Sequence, residues 1–117
     1  MLLIRPEQIL VFEHERLRAW LTAYLIRSYP VQSQNCDLSA LVNSGLRQAA
    51  ELGLTAPPDI RKLVHVCFLL GPDFESRPDL QWAADILRND ELPDPAARVF
   101  ALEQAVLERL LDAGISS

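Results

Sequence analysis

Thr55-Ala56-Pro57-Pro58-Asp59-Ile60-Arg61-Lys62-Leu63-Val64-His65-Val66-Cys67-Phe68-Leu69-Leu70-Gly71-Pro72 is the stretch on which the fold turns. Its two leading prolines and Asp59 suit the first turn of a helix, where a missing N–H costs nothing. Thr55 stands as the capping residue and Gly71-Pro72 closes the run. Between these ends, Ile60 to Leu70 is apolar on nearly every side except at Arg61, Lys62 and His65. A helix apolar all round belongs inside a helical domain. The reading is a central core helix near residues 58–70.

Upstream, a first segment from about Glu7 to Arg27 opens with Pro6 and carries Ile9, Phe12, Leu17, Trp20, Leu21 and Tyr24 at helical spacing, then stops at Tyr29-Pro30. After a polar loop, Gln32 to Asn35, the residues Leu38, Leu41, Val42, Gly45, Leu46 and Ala49 mark a second helix ending at Gly53. Gly45 lies on its apolar face. An interior glycine costs about 1 kcal/mol relative to alanine, and close approach of another helix is a reason to carry one. Downstream, an acidic loop Asp73-Phe74-Glu75 leads to a short helix from Ser76, Pro78 and Asp79 through Leu87. Asp94 and Pro95 cap a last helix to Ala113, with Val99, Leu102, Val106, Leu110 and Leu111 in one stripe and Gly114 at its end. Period-two alternation appears nowhere. The expectation is one all-α domain over residues 1–117, a compact bundle of about five helices.

Half of the 117 residues are apolar, enough for a core without a disulfide or metal staple. With 16 acidic against 11 basic side chains and no Lys/Arg-rich run, the chain lacks the electrostatic term that drives nucleic-acid binding. Nucleic acid is not expected as a partner. Val66 to Leu70 and Met1 to Ile4 are the longest apolar stretches, far short of the roughly 20 residues of a membrane span. Arg5 and Pro6 end the opening run at once, so a cytoplasmic location is expected. Cys36 and Cys67 read as two free thiols, with a single bridge as the alternative.

Candidate chemistry is sparse. His65 and Cys67, two apart on a helix, point roughly 160° from each other, whereas paired ligands on one face need a spacing of three or four. His65 therefore reads as a satisfied core or boundary histidine. His14 lies among Glu13, Glu15 and Arg18 in an ordinary charge cluster. The run Asp73 to Asp79 holds three carboxylates but also Arg77, and it lacks the glycine and terminal glutamate of a calcium loop. It reads as turn and cap. No G-x-S-x-G, phosphate loop or Ser/Cys with a placed His occurs. Neither enzymatic activity nor a cofactor is expected.

A small non-enzymatic helical domain acts through a partner, and exposed apolar groups are the place to look. Trp82 and Ile86 share one helical face, while Leu80, Ala84 and Leu87 occupy another. One side serves a partner, or Trp82 packs over the core as large aromatics do. Phe74, Trp82 and Ile86, in the Gly71 to Leu87 segment, are the proposed anchors. Glu103 falls on the buried stripe of the last helix, and Glu13 and Arg16 interrupt the first. Either a broad helix edge reaches solvent there, or an ion pair such as Arg16 with Glu103 links the two helices.

At Leu70-Gly71-Pro72-Asp73-Phe74 and Pro78-Asp79-Leu80-Gln81-Trp82-Ala83-Ala84-Asp85-Ile86-Leu87, the chain resembles a family of small all-helical bacterial proteins of uncharacterised activity. They are encoded beside type VI secretion effectors and spike-tip PAAR proteins. The likeness extends through Gly45-Leu46-Arg47, Ala50 to Thr55, and Arg5, Gln8 and Phe12; it departs at Glu75 and Arg77, where aspartates are expected. The resemblance implies an adaptor, co-chaperone or loading factor for a secreted effector, a PAAR or spike protein, or a companion chaperone. An immunity protein that plugs a toxin is the competing role, and a small enzyme with an unrecognised site is a third. Homo-oligomers are compatible with either binding role.

Overall fold

The computed structural model describes the backbone of residues 6–112 and the side chains of residues 15–111. Among these, six α-helices follow one another: α1 (Pro6–Ser28), α2 (Pro30–Ser33), α3 (Leu38–Leu52), α4 (Pro57–Leu70), α5 (Gln81–Leu87) and α6 (Pro95–Asp112). Two 3-10 turns, Phe74–Ser76 and Pro78–Leu80, join α4 to α5, and no strand is present among the described residues. The protein is all-α, as its periodicity requires. The count exceeds five because the segment after Tyr29 winds into one helical turn. Tyr29, at φ −138° and ψ 68° before Pro30, leaves the helical region, breaks α1 and starts α2. The expectations on Met1 to Arg5, on the side chains of Gln8, Ile9, Phe12, Glu13 and His14, and on Gly114 lie outside the described residues.

Local chemistry explains the ends. Asp37 caps α3 by accepting from the Ala40 N–H at 3.1 Å, and Gly53, at φ 81°, closes it in the left-handed region. Asp94 accepts from the Ala96 N–H at the start of α6. The cap of α4 differs from expectation: Ala56, not Thr55, holds the position and offers no side-chain bond. Pro57 and Pro58 have already removed two of the N–H groups a cap would serve. Gly71, at φ 104°, ends the helix.

α4 is the centre of the bundle. Leu63, Val64, Val66 and Cys67 are buried there in one core with Leu21 and Leu25 of α1, Val42 and Ala49 of α3, Leu87 of α5 and Val99, Leu102 and Val106 of α6. At the α3 crossing, a Cβ on Gly45 would lie 2.6 Å from Val64 Cγ2. The glycine is there to let the helices meet. Two stripe residues break expectation: Trp20 is 44% exposed and Leu111 is 60% exposed. In α1 the inward side is set by Leu17, Leu21, Tyr24 and Leu25, which turns Trp20 to the flank.

Candidate functional site

α4 and α6 run in the same direction. Lys62 meets the Phe100 ring at 5.3 Å, and His65 meets Glu103 at 2.7 Å three residues further along both helices. At their C-terminal ends the seam opens into a groove of about 770 Å³. Phe68 and Leu69 of α4 and Leu107, Leu110 and Leu111 of α6 form two walls; Leu41 of α3 and Tyr29, Gln32 and Cys36 around α2 complete it. Among the described residues the lining holds no charged side chain. Apolar concavities of this volume with a few polar groups are ordinary binding sites.

Behind the groove lies a buried polar chain. Glu103 is 6% exposed, and its Oε2 sits 2.7 Å from His65 Nδ1 and 3.4 Å from Arg61 Nη1. His65 Nε2 lies 2.7 Å from the Tyr29 hydroxyl, and Arg61 also donates to the Tyr24 hydroxyl at 3.0 Å. A carboxylate only accepts, so its bond fixes the hydrogen on His65 Nδ1; in the neutral ring Nε2 then accepts from Tyr29. Burial pushes the Glu103 carboxyl up, but the hydrogen bond from His65 and the Arg61 charge outweigh it and hold its pKa below the ordinary value. Burial, followed by the neighbouring Tyr24 and Glu103, raises the Tyr29 phenol. Tyr29 is thus a neutral hydrogen-bonding group and a poor nucleophile.

Glu103 does form an ion pair, and the expected partner is corrected. Arg16 is exposed, whereas Arg61 and His65, across the α4–α6 seam, take the charge. His65 is the satisfied core histidine its surroundings imply. Its partners stand 36 and 38 residues away, beyond any local spacing rule.

The structure separates the three expected anchors from the groove. Phe74 is fully buried and plugs the core beneath the loop, so its reading as a surface anchor is corrected. A single aromatic in a short loop is more stable beneath it than on it. Trp82 and Ile86 are half-buried against the core, and the Arg109 guanidinium lies 3.9 Å above the Trp82 ring. Neither lines the groove. The acidic loop is tied by its own residues: Arg77 donates to the Leu70 carbonyl at the end of α4 and pairs with Asp79, while Glu75 pairs with Arg88. The two positions that depart from the resembled pattern therefore serve as structural ties.

The groove was missed in the sequence because its parts come from four segments. One local signal was present: Leu107, beside Leu110 and Leu111, makes the last turns of α6 apolar over a wider arc than one core stripe needs. The thiols are both free; Cys36 is exposed at the groove, and Cys67 is buried, its pKa pushed up to about 12 mainly by that burial. Among the described residues no cluster of three or more His, Cys, Asp and Glu is placed to hold a metal ion, and no helix is long and apolar enough to cross a membrane. No protein-family model, curated protein or solved structure matches the chain.

Proposed function

We propose that this protein is a non-enzymatic protein-binding adaptor or co-chaperone whose α4–α6 groove receives the apolar face of a partner helix. The uncharged, leucine-lined groove carries this reading, because an amphipathic helix buries its i, i+3, i+4 and i+7 side chains in such a channel. The resemblance supplies the partner class: a type VI secretion effector, a spike component or a companion chaperone, met in the cytoplasm of the producing cell. The polar chain does not argue for catalysis. Its hydroxyl has a raised pKa, and acyl transfer needs an activated nucleophile beside oxyanion donors.

The test is affinity capture from the native host with mass spectrometry, using wild-type protein and Leu107→Asp. A captured effector or spike protein that is lost with Leu107→Asp, together with failed secretion when the gene is deleted, supports the adaptor. Capture that is indifferent to Leu107→Asp overturns the groove. Self-poisoning on deletion replaces the adaptor role with immunity.

A further inference from the structure

α6 carries more apolar surface than its own core uses. Val99, Leu102 and Val106 are buried inside the bundle. On another face Ala97, Phe100, Gln104, Leu107 and Leu111 follow one another at alternating spacings of three and four. That alternation is the seam of a coiled coil, a strip that a second helix covers. Among the described residues the seam stays open: Phe100 is 52% and Leu111 60% exposed, Gln104 is exposed, and Ala97 and Leu107 are partly so. From Ala97 to Leu111 it runs for about 21 Å, at a rise of about 1.5 Å per residue.

We propose that the occupant of this seam is a second copy of the chain, α6 against α6 and antiparallel. Charge favours it. The chain carries a net −5, so two copies repel over much of their surface, but the five seam residues are uncharged and bring no like charges together. Beside the seam the charges differ in sign from end to end: Lys62 lies 5.3 Å from the Phe100 ring, and exposed Glu108 stands between Leu107 and Leu111. Antiparallel copies bring the Lys62 end of each to the Glu108 end of the other, whereas parallel copies set like beside like. The same arrangement matches the apolar groups. Phe100 and Leu111, the exposed large side chains of the seam, stand near its two ends, so Phe100 layers on the partner's Leu111 and Gln104 on the partner's Leu107. Gln104 weakens the centre and fixes the register, as one polar residue in a seam does. Two heptads make a small interface, and the pair is correspondingly weak and concentration-dependent. Leu107 and Leu111 also line the groove, so pairing hides its α6 wall and a partner helix displaces the second copy. The pairing itself does not depend on the groove being a binding site.

Sedimentation equilibrium from about 10 μM to about 1 mM, the range suited to a small interface, reads the mass of wild type, Phe100→Asp and Gln104→Leu. Wild type passes from monomer to dimer as concentration rises. Phe100→Asp, outside the groove lining, weakens pairing by about tenfold or more, while Gln104→Leu tightens it. Orientation is read by oxidation in a Cys36→Ser background, which leaves only the buried Cys67. Phe100→Cys mixed with Leu111→Cys forms a disulfide-linked dimer, and neither variant does so alone. Wild type that is monomeric throughout, or pairing indifferent to Phe100→Asp, overturns the second copy as occupant and leaves the groove reading standing. Linked dimers from either cysteine variant alone, with none added by mixing, overturn the antiparallel arrangement.

Discussion

The α4–α6 seam has two ends built from equally apolar side chains, and they reach opposite outcomes. Toward the start, Leu63 and Val64 of α4 and Val99 and Leu102 of α6 are all essentially inaccessible to water. Toward the end, Phe68, Leu69, Leu107, Leu110 and Leu111 stay partly or largely exposed around a groove. The difference lies in what else reaches each end. α1 and α3 pack on α4, and α5 packs on α6. Among the described residues the open end receives, besides Leu41 of α3, only Tyr29, Gln32 and Cys36 around the single turn of α2, which leave the groove unfilled. Burial of a leucine is thus decided by how many elements converge on it.

The largest effect that tests this contrast is at the closed end. Leu102→Ala removes a fully buried side chain and should cost about 2 to 5 kcal/mol of stability by chemical denaturation. A loss under 1 kcal/mol would mean the two ends are alike.

Gly45→Ala is expected to cost about 1 to 3 kcal/mol, because the added methyl meets Val64 of the closed end. Unchanged or higher stability would show that α3 and α4 separate freely.

At the boundary between the ends, Glu103→Gln should cost about 1 to 3 kcal/mol at neutral pH by weakening bonds to His65 and Arg61. The pH dependence carries a definite sign. Since the folded pKa of Glu103 is depressed, its contribution is present above the unfolded value of about 4.3 and is lost as pH falls through the lower folded value. Wild type should therefore lose more stability than Glu103→Gln between about pH 6 and about pH 3. Parallel curves would refute the role assigned to the carboxylate.

The smallest thermodynamic effect belongs to the open end. Leu111→Ser should change stability by less than about 0.5 kcal/mol, since the side chain is mostly exposed. Alkylation gives the same contrast chemically: native protein should take label at Cys36 only, and denatured protein at Cys67 as well. Rapid native labelling of Cys67 would mean that the core around α4 opens.

Much of the fold was legible locally. Prolines, Gly53, Gly71 and the pair Asp94-Pro95 punctuate the helices where the structure has them, since caps and breakers act over one turn. Gly45 was legible as a close approach for a similar reason: an interior glycine on an apolar face needs one. Misreadings arose where two answers shared one local pattern. Phe74 looked the same as plug or as anchor, Trp20 and Leu111 fitted a core stripe as well as a flank, and Thr55 was as good a capping residue as its position allowed.

By itself the sequence determined the helical class, the central place of α4 and most helix ends, because periodicity and capping are short-range properties of a chain. Only the tertiary structure decided that Glu103 pairs with His65 and Arg61, that Tyr29 joins this buried chain, and that the seam stays open beside Leu107 and Leu111. Each of these depends on helices distant in sequence arriving at one point, and on how much volume they bring. No local pattern encodes either quantity.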